Sequence, residues 1–162
     1  MDHKSLTDSI IDRLLLEPKL IKTRRAKDTI KAKHMERNYD VSSADGSNSY
    51  TLIFRQSTVI PENFSCGLIW HANPSNRVIL TRYNGPGHPH SNPIEDEQFE
   101  LSCHIHRATE RYVSIGRKAE HYAVKTDKYK NANDALICLM RDCNIAGFNI
   151  SEENEKSQTS LF

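Results

Sequence analysis

The chain lacks long hydrophobic runs and the loops that bind nucleotides. No apolar stretch approaches the roughly 18 residues of a membrane-spanning helix, so we expect no membrane partner. There is no Gly-rich phosphate loop, no nucleophile elbow and no dinucleotide-binding fingerprint. These absences argue against nucleotide-driven enzymes and against hydrolases of the nucleophile-elbow type.

Cysteines with metal-binding or redox spacing are also missing. The chain of 162 residues holds four cysteines, and no two of them form a Cys-x-x-Cys pair. In the absence of an apolar secretion signal, such cysteines are typical of reduced thiols that fill a core. We therefore expect a cytoplasmic protein, and the chain length favours one folded domain. The cysteines are Cys66, Cys103, Cys138 and Cys143.

Positive charge is concentrated near the beginning of the sequence, although the net charge is only +1. Residues 17–37 include eight basic and three acidic residues, a local net charge of +5. We expect residues 1–40 to form a helical, basic segment, which either contacts nucleic acid or an acidic partner or is only a solvated surface. The cations expected to contact nucleic acid are Lys22, Arg24, Arg25 and Lys27.

The hydrophobic pattern predicts an α+β fold. Ser5 or Thr7 is expected to cap the first helix, and Asn131 or Asn133 the last one. A hairpin turn is predicted over residues 73–76 because Asn, Pro and Ser cluster there. The predicted helices span residues 6–15, 19–37 and 131–144, and the predicted strands span residues 50–56, 64–71, 78–83, 99–106 and 122–124.

The order of these elements favours an antiparallel sheet packed by the N-terminal and C-terminal helices. We expect residues 41–150 to form the α+β core domain. Residues 151–162 are polar and are expected to be a flexible tail.

Two His-x-His pairs are the most informative motifs. His88 and His90 lie in a loop rich in Gly and Pro that follows the strand predicted at residues 78–83. His104 and His106 lie in the strand predicted at residues 99–106 and point to the same face of it. If these two strands are neighbours, the pairs converge at one edge of the sheet. Glu100 and Ser102 are expected on the histidine face, and Leu101, Cys103 and Ile105 in the core.

The residue types around the pairs suit cleavage of RNA without a metal. Such an enzyme needs a base for the ribose 2′-hydroxyl, an acid for the leaving oxygen and cations for the phosphate. His88 and His90 are the candidate base and acid, and His104 and His106 complete the predicted catalytic set. The candidate phosphate ligands are Arg82, Arg107 and Arg111, and the candidate stacking or proton-donating residues are Tyr83 and Tyr112.

A zinc site is an alternative interpretation of the same histidines. Up to four imidazoles from the two pairs suit zinc, and His121 and the carboxylates of residues 95–97 are near in sequence. The ligand spacing differs from that of known zinc modules, so we expect no bound metal and no other cofactor. Each histidine taken singly is as compatible with a structural role in the sheet or loop as with catalysis.

Several motifs resemble those of known proteins. Together they resemble an uncharacterised family of small bacterial proteins, a resemblance that implies no activity. The stretch from Arg82 to His90 is also similar to the Arg-Tyr-Asp and His-x-His stretch of TumE-type toxins of toxin–antitoxin pairs, although Asn84 replaces the acidic residue and the spacing to His88 is shorter. The motifs that carry the family resemblance are Leu6 to Lys19, Arg82-Tyr83-x-Gly-Pro-x-His, His90-x-Asn-Pro, His104-Ile-His106, Glu110-Arg111-Tyr112 and Leu139-x-x-Asp-Cys-Asn-Ile.

The toxin resemblance implies a RelE-like architecture and an RNA-directed toxin or phage-defence protein acting as a metal-independent endoribonuclease. Its expected partners are RNA and a cognate antitoxin or another protein. The alternatives are a non-enzymatic binding module, such as an antitoxin, an inhibitor or a component of a defence complex, and the histidine-coordinated zinc protein.

The basic segment generates a prediction. Neutralising Lys22, Arg24, Arg25 and Lys27 together should weaken binding to RNA or an acidic partner and flatten its salt dependence, because each phosphate contact releases counterions. The measurement is affinity across a salt series. An unchanged salt slope would identify the segment as a solvated surface.

Overall fold

A computed structural model describes residues 6–23 and 25–147. The predicted polar tail, residues 151–162, and Arg24 lie outside the described residues. The fold is α+β, as predicted, with a mostly antiparallel sheet of nine strands, a separate hairpin of two strands, and three helices in the described part of the chain. None of these helices has both the length and the apolar character required to cross a bilayer.

The helices are α1 (Asp8–Leu16), α2 (Glu110–Ser114) and α3 (Ala132–Asp142). The strands are β1 (Lys19–Ile21), β2 (Thr29–Lys31), β3 (His34–Ser43), β4 (Ser49–Ser57), β5 (Phe64–Asn73), β6 (Asn76–Asn84), β7 (His90–Asn92), β8 (Glu97–Phe99), β9 (His104–Arg107), β10 (Ala123–Lys125) and β11 (Ile145–Ala146). The main sheet has the order β10-β9-β6-β5-β4-β3-β1-β11, with β2 paired to β3, and β7 pairs with β8.

Helix ends follow the local sequence signals. The Thr7 hydroxyl accepts a hydrogen bond from the Ile10 amide at the start of α1, and Asn131 caps α3 through the Asp134 amide. The hairpin predicted at residues 73–76 is present between β5 and β6. These contacts are set within a few residues, which is why the sequence predicts them.

The two faces of the sheet have different environments. One face contributes alternate apolar side chains, among them Leu52, Leu68 and Trp70, to a core that also contains the buried faces of α1 and α3. The opposite face carries Ile53, Ile69 and polar residues that are only partly buried. Helices α1 and α3 cover the first face, and we call the second one, with its partly buried residues, the open face.

The helix predicted over residues 19–37 is wrong. Residues 19–21 pair with both β3 and β11, residues 29–31 pair with β3, and β3 itself begins at His34. The segment has few apolar residues and no helical repeat of them, so its pairing with the sheet decides its conformation.

The strand predicted over residues 99–106 is two separate strands. Its beginning belongs to β8, in the small hairpin, and its end is β9 in the main sheet. Leu101, predicted in the core, lies between them and is 63% exposed, whereas Cys103 and Ile105 pack against the core as predicted. His104 and His106 do share a face, but His104 is fully buried.

A β-bulge in β6 changes which side chains reach the open face. Leu68 pairs with Thr81 and Ile69 pairs with Ile79, so Leu80 is an extra residue in β6. The extra residue exchanges the faces of the sheet to which the following side chains of β6 point. Tyr83 consequently faces α3, and Arg82 shares the open face with its pairing partner, His106.

Lys19 joins the ends of both long helices. Its side chain is 1% exposed, and Nζ donates hydrogen bonds of 2.8 Å, 2.8 Å and 2.9 Å to the carbonyls of Leu15, Glu17 and Cys143. The carbonyls at a helix C-terminus lack partners within the helix and carry partial negative charge. A buried ammonium group therefore satisfies the ends of α1 and α3 together.

Replacing this ammonium group tests its role. Lys19→Met keeps the aliphatic volume but leaves buried carbonyls without donors, and should lower the free energy of unfolding by about 3 kcal/mol. Denaturant unfolding measures the change. The exposed Lys22→Met variant is the control and should differ from the wild type by less than about 0.5 kcal/mol. Equal stability of Lys19→Met and the wild type would contradict this role.

Candidate functional site

The fold brings five histidines together at one end of the open face. Strand β9 pairs with β6, and the loop after β6 returns over both strands. The convergence of the two His-x-His pairs that was expected from the sequence is therefore present, and a fifth ring joins them from the segment before β10. The histidine cluster consists of His88, His90, His104, His106 and His121.

His90 lies at the centre of the cluster. Its ring centroid is 4.9 Å from that of His106, 5.8 Å from that of His104 and 5.3 Å from that of His121. The rings of His104 and His106 are 5.0 Å apart, and the exposed His88 is 5.4 Å from His104. Three rings, those of residues 90, 104 and 106, are thus mutual neighbours.

Two residues hold the loop in this position. Gly85 passes so close to the preceding chain that a Cβ atom there would lie 2.2 Å from the Glu62 carbonyl oxygen, so no larger residue fits without movement. The buried Asn92 side chain donates to the Ala123 carbonyl at 2.7 Å and accepts from the Ala123 amide at 3.0 Å. This double hydrogen bond attaches the loop to β10.

Backbone carbonyls fix the tautomers of His104 and His106. Nδ1 of His104 is 2.9 Å from the Ser102 carbonyl oxygen, and Nδ1 of His106 is 2.8 Å from the Glu120 carbonyl oxygen. A carbonyl oxygen only accepts, so each Nδ1 must carry the hydrogen. In the neutral rings, each Nε2 therefore presents a lone pair.

His90 and His121 are oriented in the opposite sense. Nε2 of His90 is 2.8 Å from Oδ1 of Asn92, and that oxygen is identified because it also accepts the Ala123 amide. Nε2 of His121 is 3.2 Å from the Ser91 carbonyl oxygen. Both rings donate through Nε2, which leaves a lone pair on Nδ1 in the neutral forms.

The environment favours neutral imidazoles. Burial lowers the pKa of His106 to about 3, and the neighbouring His104 and the charge of Arg82 contribute. Burial is also the main cause that lowers the pKa of His90 and of His104. At neutral pH these rings are therefore suited to donate lone pairs, to a proton or to a metal, and not to carry charge.

A groove lies on the open face of the sheet. Its cavity of about 650 Å³ crosses β3, β4, β5 and β6. The apolar part of its lining includes Ile53, Ile69 and Ile79, and Gly67 adds no side chain. The cations that line it are Lys33, Arg55 and Arg82, with His34 beside them and Glu36 as an acidic neighbour.

Arg82 lies where the groove meets the cluster. It lines the cavity, and it is the pairing partner of His106 across β6 and β9. Tyr83, also predicted at the site, is not there. Its hydroxyl donates to Asp142 at 2.5 Å and its ring stacks on Tyr129, on the face covered by α3.

The other predicted phosphate ligands lie outside the groove. Arg107 forms an ion pair with Asp12 of α1, on the opposite side of β9 from His106. Nε of Arg111 donates to Glu95 at 2.6 Å, so this guanidinium is paired at the margin of the cluster. Tyr112 is buried, donates to the same carboxyl group at 2.6 Å and stacks on His121.

The basic segment lies towards the far edge of the sheet. Lys22, Arg25 and Lys27 are exposed in the connection between β1 and β2. These strands are separated from β9 by β3, β4, β5 and β6. Lys33 and His34 follow this segment and line the groove, whereas Lys22, Arg25 and Lys27 are not among its lining residues.

Sequence reasoning did not select Asn92, Arg55 or Lys33. Alternation within β4 places Arg55 on the same face as Ile53, which is a usable signal. The position of Asn92 depends on its contact with Ala123, far along the chain, and no local sequence pattern predicts this contact. The carboxyl group of Glu95, a possible zinc ligand, is instead held by Arg111 and Tyr112.

Comparison with known proteins identifies a family. A model for a family of unknown function, DUF6978, matches residues 6–145 of the 162 residues. No curated protein and no solved structure matches the chain.

The attachment of the loop can be tested at Asn92. Asn92→Asp removes the amide donor and turns a buried carboxylate towards the Ala123 carbonyl, so it should lower the free energy of unfolding by about 3 kcal/mol. Urea unfolding gives the stability, and histidine ring NMR signals report the cluster. Asn38→Asp, at an exposed position of β3, is the matched control. Unchanged ring signals in Asn92→Asp would show that the loop is held by other contacts.

Proposed function

Because the chain belongs to the DUF6978 family, whose function is unknown, we propose its activity from the geometry: it binds a single RNA strand in the groove and cleaves it at the histidine cluster. The observation that carries the proposal is the position of Arg82, which lines the cation-lined groove and is the pairing partner of His106 in the histidine cluster. A site of this kind combines binding of an anionic chain with groups that move protons or bind a metal.

The composition of the groove supports a nucleic-acid ligand. Arg55 and Arg82 are forked donors that can hold phosphate oxygens in pairs, and Lys33 adds a third cation. The isoleucines between them offer apolar contact to exposed bases. A surface that combines cations with apolar contact area suits a single strand, whose bases are accessible.

The lowered pKa values of three cluster histidines bear on the mechanism. A metal-independent ribonuclease needs one histidine that is protonated at neutral pH to protonate the leaving oxygen. His90, His104 and His106 are poor candidates for that role, since burial lowers the pKa of each. They suit acceptance of a proton or coordination of a metal, and Arg82 is the cation beside them that would bind the phosphate.

The role of a toxin or phage-defence protein, with a RelE-like architecture and a cognate antitoxin, is part of the proposal. It is supported by the similarity of the segment from Arg82 to His90 to TumE-type toxins. A non-enzymatic RNA-binding module is the competing function, and cleavage assays distinguish the two.

Removal of the groove cations tests RNA binding. Arg55→Ala with Arg82→Ala should weaken binding of single-stranded RNA by about tenfold or more for each arginine. The slope of log affinity against log salt should fall by about 0.7 for each lost phosphate contact. Fluorescence anisotropy across a salt series measures both. Arg77→Ala, an exposed charge removal in the same strand β6, is the matched control.

The same samples test catalysis. End-labelled RNA should be cleaved by the wild type and by Arg77→Ala, and cleavage should be lost in His88→Ala with His90→Ala. Binding without cleavage by the wild type would reject the enzyme and leave the binding module. Absence of binding, or an equal loss in Arg77→Ala, would reject the groove as the RNA site.

A further inference from the structure

The three central rings have the spacing of ligands around one metal ion. The ring centroids of His90, His104 and His106 form a triangle with sides of 4.9 Å, 5.0 Å and 5.8 Å. Zinc bound tetrahedrally through nitrogens at about 2.0–2.1 Å places the centroids of two imidazole rings roughly 5.2 Å apart. The triangle is therefore close to the size that coordination requires.

The hydrogen bonds of these rings favour coordination. Each of the three donates one ring N–H to an oxygen, and each is left with a lone pair on its other nitrogen. Histidines that bind metals almost always have this arrangement, because the outer hydrogen bond fixes the tautomer of the ring. A set of three such rings presents three lone pairs, which receive no hydrogen bond from any side chain or backbone group in residues 6–23 and 25–147.

His104 supplies an independent observation. Its side chain is fully buried, and Nε2 has no hydrogen-bond partner in the described part of the chain. An unsatisfied buried acceptor costs free energy that a bound cation would remove. The ring is surrounded by His88, His90, His106 and Phe99, so the unpaired atom lies within the cluster.

We propose that His90, His104 and His106 bind one zinc ion, with a fourth position open to water or a phosphate oxygen. Ligation by imidazoles alone suits zinc among the divalent metals of cells, and magnesium and calcium prefer oxygen ligands. Three protein ligands with an open position are typical of catalytic zinc, whereas structural zinc has four. The zinc site goes beyond the proposed function, because the protein could bind zinc without cleaving RNA. Only a hydrolytic role for the zinc ion rests on the proposed function.

The ring of His90 must turn to complete the site. Within residues 6–23 and 25–147, no group of three or more His, Cys, Asp or Glu side chains already has its donor atoms arranged around a metal position. The rings of His90 and His104 are nearly parallel, 15° apart, so their nitrogens do not converge. His90 is on a loop strand and is half-buried, and rotation of its ring is the change that coordination requires.

Titration of the full chain with zinc tests the proposal. After treatment with a chelator, the protein should bind one Zn²⁺ per chain in calorimetry, and Co²⁺ should give the visible absorption of a tetrahedral site. His90→Ala and His106→Ala should each weaken Zn²⁺ binding by at least about 100-fold. Both variants keep all four cysteines, so they separate the site from thiols.

Two control variants define the ligand set. His71→Ala removes a partly buried histidine of β5 that is bonded to Thr51, away from the cluster, and should leave Zn²⁺ affinity unchanged. His88→Ala should keep the stoichiometry and the Co²⁺ spectrum, because His88 occupies no position in the triangle. Circular dichroism of each variant verifies that it is folded.

The outcomes separate this proposal from the proposed function. No Zn²⁺ binding by the folded wild type, or equal weakening in His71→Ala, would overturn the metal site even if RNA is cleaved. Zinc binding without RNA cleavage would support the site and reject the ribonuclease. Loss of the Co²⁺ spectrum in His88→Ala would indicate that His88 is a fourth ligand and would reject the open fourth position.

Discussion

The antiparallel pairing of β6 with β9 is the constraint on which the candidate site depends. Its register places Arg82 opposite His106 and Asn84 opposite His104. A shift by one residue would exchange the two faces of β9 and move both histidines away from the groove. Because Ile105 and Tyr83 face the helix-covered core in the same register, the packing of the core and the assembly of the histidines are specified by the same hydrogen bonds.

Burial lowers the pKa of three rings of the cluster, those of His90, His104 and His106. His104 lies beneath the loop and His106 faces the Glu120 carbonyl, so charge on either ring would be poorly solvated. Asn92 connects this loop to β10 and contacts His90 as well. A solvated imidazole has its pKa near neutral pH, whereas burial lowers the pKa of His90, His104 and His106, so these three rings are neutral at neutral pH.

The division of the sheet into a covered and an open face explains how a small domain can have a groove that crosses four strands. Helices α1 and α3 bury one face, and Lys19 joins their C-terminal ends through three carbonyls. The groove lies on the other face. Its cations and histidines come from different strands, so their alignment follows from strand order.

Local sequence signals determined much of the fold. Four features depend only on neighbours in the chain: the caps at Thr7 and Asn131, the β5–β6 hairpin and the alternation within β4 and β5. The α+β class and the shared face of His104 and His106 were therefore predictable. The tertiary structure decided the rest. Residues 19–21, 29–31 and 34–37 form strands by pairing with partners elsewhere in the chain. The bulge at Leu80 places Arg82 on the open face and turns Tyr83 towards α3. Burial of His104 and the contact between Asn92 and Ala123 likewise arise between segments far apart in sequence, where local periodicity carries no information about which residues meet.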